Sequence, residues 1–157
     1  MSQKVRVLFA TFDTNQHKMP EFKITTQHQP SSMSFVGNIG NHRLVMDANP
    51  TVGGQDLGPS PKHILLSSLA GCTGIDVVSL LHKMRVDFSD FEIITEADLT
   101  NEHPRVFTYI NIIYRIKVQE SDREKVQKAI TLSEEKYCGI SAMLRKNAPI
   151  HVSIQYL

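Results

Sequence analysis

The sequence has no tryptophan, only two cysteines and almost no excess of charge. Two cysteines are too few for a disulfide framework or for a zinc site built from cysteine alone. The 17 basic and 16 acidic residues leave a formal net charge of +1. That balance offers nothing that would attract a polyanion, and we therefore expect neither nucleic acid nor a membrane surface as a partner.

Long apolar runs are missing as well. The sequence has no stretch of about 18 consecutive apolar residues, so no transmembrane helix is expected. The opening residues, MSQKVRVLFATFD, lack the apolar core and the small-residue cleavage site of a signal peptide. These observations predict a cytoplasmic protein, and its 157 residues are enough for one ordinary domain, 1–157.

The chain is organised around the segment at positions 58–85, GPSPKHILLSSLAGCTGIDVVSLLHKMR. Ser60 is a suitable N-cap residue and Pro61 fits the first position of a helix, so we predict that a helix starts there. Its apolar residues surround the whole circumference, which predicts a helix buried on every side. Gly71 and Gly74 each weaken a helix by about 1 kcal/mol relative to Ala, and so they indicate close packing or a kink.

Strands are predicted on both sides of this helix. Alternating or β-branched patterns predict strands, and Gly, Asn and Pro predict the turns between them. Ser121 and Glu124 form a capping-box pattern that predicts the start of a second helix, which residues 137–141 interrupt before a third helix ends near Lys146. This order of elements predicts an α+β fold. The predicted strands cover residues 4–10, 21–26, 33–36, 42–47, 91–99, 105–118 and 149–156, with loops over 11–20 and 48–58.

The two cysteines are the first candidates for chemistry. Cys72 lies in the middle of the apolar helix, and Cys138 lies at the break near the start of the third helix, where the helix N-terminus favours a thiolate. They are either two small core residues or a redox pair. Their separation of 66 positions does not determine their distance in space.

The acidic and basic residues near the helices are further candidates. They are Asp76, Glu134, Glu135, Lys62, Arg43, Arg105 and Arg115, and with His63 they supply four possible site residues: Asp76, Lys62, His63 and Arg43. Asp76 falls inside the apolar helix, where a carboxylate needs a partner or stays protonated, so it is either structurally paired or part of a site. His63 and Lys62 lie in the first turn of that helix, and Arg43 lies in a predicted strand. The histidines are not at metal-ligand spacings, and the loop around Gly53-Gly54 lacks a phosphate-binding pattern. We therefore predict no metal and no cofactor.

Three motifs in this order resemble the OsmC/Ohr family, the osmotically inducible protein C and organic hydroperoxide resistance proteins. They are GPSPKHILLSSLAGCTGIDVVSLL, then NEHPRVFTYINIIYRI, then AITLSEEKYCGISAML. The resemblance is strongest over residues 35–157, whereas residues 11–32 are atypical of the family. It implies an OsmC-like α+β fold, with curved antiparallel sheets around a long buried central helix and an intertwined homodimer.

The resemblance also implies an activity. Active members reduce organic hydroperoxides with a thiolate that matches Cys72, and a second cysteine that matches Cys138 resolves the resulting sulfenic acid. A dithiol reductant then resets the disulfide. Where those peroxidases carry an Arg and a Glu, this chain carries Ile39 and Lys62. Thiolate activation would then fall to Lys62, His63 or Arg43.

Two hypotheses about function follow. The first is a two-cysteine, thiol-dependent peroxidase that acts on small organic hydroperoxides. The second is a dimeric, stress-related protein that binds a small apolar ligand without peroxidase activity, in which Cys72 and Cys138 pack or contact the ligand. The proximity of the two thiols is the structural observation that separates them.

Overall fold

A computed structural model describes residues 21–157 as two three-stranded sheets with three helices, an α+β fold that confirms the predicted class. The predicted strand 4–10 and the loop 11–20 lie outside these residues. One sheet is formed by the N-terminal strands. The other is formed by the strands that follow the long helix, and it carries the core.

The first sheet is antiparallel and contains β1 (Thr25–His28), β2 (Phe35–Ile39) and β3 (His42–Met46). Strands β2 and β3 are joined by a tight turn at Gly40-Asn41, and Gly40 has a φ of +57° that glycine adopts at little cost. The strands predicted over 21–26 and 33–36 are present but begin later than expected.

The loop between β3 and the long helix is held together by Asp47. Its carboxylate accepts the backbone N–H groups of Ala48 and Gln55 at 2.8 Å and of Leu57 at 3.2 Å. These bonds, chiefly that of Gln55, lower the pKa of Asp47. A Cβ atom on Gly54 would lie 1.8 Å from the Ala48 carbonyl oxygen, so only glycine fits there. The loop is therefore an ordered connection that sets the start of the helix.

Helix α1 runs over Pro61–Lys83 with Ser60 at the N-cap, as predicted. The prediction that it is buried on every side is wrong for the chain by itself. One face is buried, whereas Ile75 on the opposite face is 72% exposed. The reason is that β4, α2 and α3 all pack against one side of the helix. The buried face consists of Leu69, Thr73, Val77 and Leu81.

The long helix also bears on the expectation of no membrane span. By length and composition alone α1 could cross a membrane, although the core helix of a soluble protein passes the same test. Three observations favour a core helix here. Its buried face is part of the main core, its middle carries Asp76, and Gly74 lets β4 approach so closely that a Cβ atom would lie 2.9 Å from Ile93.

The second sheet contains β4 (Phe88–Leu99), β5 (Phe107–Val118) and β6 (Ile150–Tyr156). Strands β4 and β5 are antiparallel, but β6 pairs with β5 in parallel. The expectation of purely antiparallel sheets is therefore wrong here, because two helices carry the chain back to the end at which β5 began. The predicted alternation along β5 is confirmed, since its buried side chains are Ile110, Ile112, Tyr114 and Ile116.

Between β5 and β6 lie α2 (Arg123–Leu132), a π-helical turn (Ser133–Tyr137) and α3 (Gly139–Leu144). The interruption predicted over residues 137–141 is present but shorter, because only Cys138 separates the π-helical turn from α3. The capping box is wrong, because a 3₁₀ turn over Glu120–Asp122 places Asp122 rather than Ser121 at the N-cap of α2. The π-helical turn and α3 both contact α1, and this contact brings Cys138 to the long helix.

Candidate functional site

The fold brings Cys72, Asp76 and Cys138 together. Their two sulfur atoms and a carboxylate oxygen of Asp76 all lie within 4.8 Å of one another. Cys72 and Asp76 are four residues apart on α1 and so lie on the same face of that helix. Cys138 comes from the N-cap of α3. The three sequence candidates that the structure unites are thus the two thiols and the carboxylate from inside the apolar helix.

The two thiols differ in burial. Cys72 is half-buried, whereas Cys138 is 2% exposed. Burial raises the pKa of Cys138 to about 12, and the backbone N–H of Ser141, which donates to its sulfur at 3.3 Å, offsets only part of this shift. The N-terminus of α3 thus favours a thiolate at Cys138, as expected, but the thiol stays protonated at neutral pH. Desolvation outweighs the single N–H bond of a six-residue helix.

A buried hydroxyl cluster supports the cysteine site. Thr73 Oγ1 lies 2.5 Å from Tyr114 Oη and 2.8 Å from Ser133 Oγ. Ser133 Oγ donates to the Asp76 carboxylate at 3.1 Å, which gives that carboxylate the partner that its position requires. Burial also raises the pKa of Tyr114, so its hydroxyl stays protonated at neutral pH. The cluster therefore fixes Asp76 beside the two thiols.

A carboxylate–guanidinium pair borders this cluster. The Glu134 side chain is 7% exposed, and it accepts Ser141 Oγ and Arg145 Nη2 at 2.7 Å each and Tyr114 Oη at 3.2 Å. Glu134 is one of the acidic residues near the helices that the sequence offers as candidates, whereas Arg145 is not among the predicted candidates. The available signal was an acidic pair shortly before Cys138, and only the π-helical turn, which directs Glu134 inwards, shows which of the two acids takes part.

The other sequence candidates lie elsewhere in the chain. Lys62 and His63 are in the first turn of α1, and Lys62 lies about 15 Å along the helix axis from Cys72 at 1.5 Å per residue. His63 Nδ1 lies 3.1 Å from Ser60 Oγ. Arg43 is exposed on β3 of the first sheet. Within one chain, none of these three is part of the described Cys72–Asp76–Cys138 group.

Three surface depressions lie along α1 and the elements that pack against it. A groove of about 600 Å³ borders the Glu134–Arg145 pair, and a second groove of about 680 Å³ runs along the exposed face of α1 past Gly71, Ile75 and His82. A smaller cavity of about 340 Å³ has an apolar lining with Lys62 and Arg105 among its residues. Its volume lies in the range of small-molecule pockets.

Comparison with known proteins identifies the family. Residues 53–153 match the model of the OsmC-like protein family, a span that includes α1, both cysteines and most of the second sheet. The chain belongs to the OsmC-like family. It is 36% identical to Protein YhfA of Escherichia coli K12 over 115 residues, which cover 73% of this chain and 83% of that protein.

Solved structures of OsmC-like proteins share the fold. The OsmC-like protein of Mycoplasma pneumoniae superposes with a TM-score of 0.76 at 16% identity, covering 89% of this chain and 99% of that one. The organic hydroperoxide resistance protein OhrB of Bacillus subtilis superposes with a TM-score of 0.59 at 17% identity, covering 85% and 98%. These two superpositions show that the fold is shared.

Proposed function

We propose that this OsmC-like protein is a thiol-dependent, peroxidase-like redox protein that reduces small organic hydroperoxides through Cys72 and Cys138. The observation that carries the proposal is the meeting of the two sulfur atoms and the Asp76 carboxylate within 4.8 Å. Two thiols at this separation need only a small movement to form a disulfide. A pair of unrelated core cysteines would have no reason to meet beside a carboxylate.

Burial favours Cys72 as the nucleophile, because Cys138 is nearly inaccessible and its pKa is raised to about 12. The Cys72 thiolate attacks one peroxide oxygen, the O–O bond breaks, and the electron pair leaves on the second oxygen, which takes a proton and departs as an alcohol. Cys72 becomes a sulfenic acid, and the hydroperoxide is reduced by two electrons.

Cys138 then attacks the Cys72 sulfur, the sulfenic S–O bond breaks, and water leaves with the Cys138 proton. The Asp76 carboxylate is close enough to both sulfur atoms to receive that proton in passing. A dithiol reductant restores both thiols by exchange and is itself oxidised to a disulfide. The cycle uses only the two thiols, the hydroperoxide and that reductant.

Active members of the family carry an Arg where this chain has Ile39. We propose that Arg145 supplies the corresponding positive charge. Its guanidinium is held by Glu134, which contacts the hydroxyl cluster around Thr73, and both residues line the adjacent 600 Å³ groove. Lys62 and His63 lie too far along α1 to act within one chain. Arg43, Lys62 and His63 stay proposed helpers only through a second protomer.

We also propose a homodimer in which a second copy of this chain covers the exposed face of α1. That face carries Ile75, and a Cβ atom on Gly71 would meet nothing within 4 Å among residues 21–157. An apolar helix face with glycine at its centre suits close approach by an identical helix. The family resemblance supports the same arrangement.

The test is a peroxide titration of the reduced protein, read by intact mass, with cumene hydroperoxide compared with hydrogen peroxide. We expect loss of two hydrogens per chain at about one equivalent, faster with the organic peroxide. Cys72→Ser should consume no peroxide, whereas Cys138→Ser should form the Cys72 sulfenic acid with one equivalent of hydroperoxide and the sulfinic acid with a second. Thiols that stay reduced in the unmodified protein, or unchanged turnover in Cys72→Ser, would eliminate the mechanism.

A second candidate function rests on the 340 Å³ cavity. Its lining is mainly apolar, and Lys62 and Arg105 supply positive charge. This combination suits a small apolar ligand that carries an acidic group. Recovery of the protein with both thiols unreacted after a stoichiometric hydroperoxide pulse, together with saturable binding of a fluorescent fatty acid that Lys62→Ala weakens, would favour this function over the peroxidase.

A further inference from the structure

The meeting of Cys72, Asp76 and Cys138 has a second chemical use, since two thiolates and a carboxylate are a ligand set for a borderline-soft divalent cation. Tetrahedral Zn²⁺ with Zn–S bonds of 2.3 Å places two sulfur ligands about 3.8 Å apart. The three ligand atoms already lie within 4.8 Å of one another, so side-chain adjustments of less than about 1 Å would complete that geometry.

The surroundings hold the ligands in place. Ser133 Oγ donates to one oxygen of Asp76 at 3.1 Å, and the backbone N–H of Ser141 donates to the Cys138 sulfur at 3.3 Å. Metal ligands in proteins are commonly oriented by such outer hydrogen bonds. Cys72 and Asp76 lie on consecutive turns of one rigid helix, which fixes their relative position.

We propose that the reduced Cys72–Asp76–Cys138 group binds Zn²⁺, with a fourth position left to water. The sequence predicted no metal site, because two cysteines are too few for a cysteine-only zinc site and the histidines are not at metal-ligand spacings. Each thiol that binds loses its proton to solvent. Thiolate ligands favour Zn²⁺ over Ca²⁺ or Mg²⁺, which take oxygen ligands.

This inference stands without the proposed peroxidase activity, since it needs only the reduced thiols and the carboxylate. If both hold, zinc and hydroperoxide compete for Cys72, and bound zinc protects both thiols from oxidation. Zinc would then inhibit peroxide consumption in proportion to site occupancy.

The test uses the full chain, reduced and freed of metal with a chelator, in the absence of peroxide. Titration with Co²⁺, which reports its coordination by its spectrum, should give one ion per chain with a thiolate-to-cobalt charge-transfer band and the visible bands of a tetrahedral site. Zn²⁺ should displace the cobalt. Its affinity is then measured by competition with a chromophoric chelator.

Variants assign the ligands. Cys72→Ser and Cys138→Ser should each abolish the charge-transfer spectrum of the intact site. Asp76→Asn should weaken Zn²⁺ binding by about tenfold or more, and Ser133→Ala by about tenfold, since losing an outer hydrogen bond alone costs that much. Asp87→Asn is the matched control, because Asp87 is exposed beyond the end of α1, and it should bind zinc normally.

A chemical control removes any dependence on the folding of the variants. The unmodified protein alkylated with N-ethylmaleimide after reduction should lose the site. Cobalt bound without a thiolate band, or zinc affinity unchanged by alkylation or by Cys72→Ser, would overturn the proposal. Failure of the peroxide titration would leave this result untouched, so the two proposals fail separately.

Discussion

The two cysteines lie side by side but belong to regions built in different ways. Cys72 sits in the middle of a 23-residue helix, half-buried, next to a helix face that is open in the single chain. Cys138 sits where a π-helical turn ends and a six-residue helix begins, 2% exposed, with its own N–H bonded to the Ser133 carbonyl at 2.8 Å.

The two thiols are close in space but differ in their access to solvent. Both thiols share Asp76 as a neighbour, yet burial raises the pKa of Cys138 far enough to keep it protonated at neutral pH. A helix N-terminus is expected to favour a thiolate, but here one N–H bond competes with nearly complete desolvation and loses. In the proposed mechanism, solvent access therefore decides which cysteine attacks, and position in the secondary structure does not.

The largest effect should be seen in alkylation rates. With its pKa raised from 9.0 to about 12, Cys138 holds about a thousandfold less thiolate at pH 8 than an ordinary cysteine. Since only the thiolate reacts, iodoacetamide should label Cys72 first and Cys138 at least about a hundredfold more slowly than in the unfolded chain. The rate at Cys138 should keep rising with pH through pH 11. Peptide mass spectrometry after timed quenching measures both rates.

The unfolded protein in guanidinium chloride is the control, because both thiols should then react at similar rates. Equal labelling rates of Cys72 and Cys138 in the folded protein at pH 8 would show that the two thiols do not differ in reactivity. That result would contradict the assignment of Cys72 as nucleophile. A plateau in the Cys138 rate below pH 10 would show that burial does not hold its proton.

A second protomer on the open face of α1 would cover the helix surface next to Cys72. It would therefore reduce the difference in exposure between Cys72 and Cys138. Ile75→Asp would place a carboxylate in that apolar contact, at a cost of about 3–5 kcal/mol if it stays charged and uncompensated. We expect the dimer to dissociate at low micromolar concentration, as measured by sedimentation velocity. Met143→Asp, at a position of α3 that is 62% exposed, is the control and should leave the mass unchanged.

A stable monomer of the unmodified protein at the same concentration would contradict the dimer directly. A dimer that survives Ile75→Asp would place the interface elsewhere. In that case the open groove beside Gly71 would need another occupant.

The smallest expected effect concerns Thr73, whose hydroxyl joins the two regions. Thr73→Val preserves the shape of the side chain but removes its bonds to Tyr114 and Ser133. Leaving buried hydroxyls without this partner should lower the free energy of unfolding by about 1–3 kcal/mol. Chemical denaturation of the reduced protein measures the change.

Thr131→Val is the matched control, because Thr131 is exposed on α2 and the same substitution there should change stability little. Equal stability of the two variants would show that the hydroxyl cluster does not link α1 to the π-helical turn. A disulfide between Cys72 and Cys138 would join α1 to the end of the π-helical turn. A larger loss of stability for Thr73→Val in the oxidised protein than in the reduced protein would be inconsistent with that disulfide.

Local patterns predicted much of the fold. The Ser60-Pro61 pair marks the start of α1, the alternation over 105–118 marks the buried face of β5, and the interruption at 137–141 marks the break before α3. Each depends on residues close together in the sequence. The capping box was predicted from an equally local pattern but is wrong. Its residues fit a helix start, whereas the chain enters α2 through a 3₁₀ turn.

The sequence by itself determined the family, the α+β class and the identity of the two thiols, because motifs, periodicity and residue type are properties of the chain. Only the tertiary structure decided that Cys72 meets Cys138 and Asp76, that Glu134 pairs with Arg145, and that β6 joins β5 in parallel. These features depend on how distant segments pack. Burial likewise comes from that packing, and burial is what gives two residues of the same type different access to solvent.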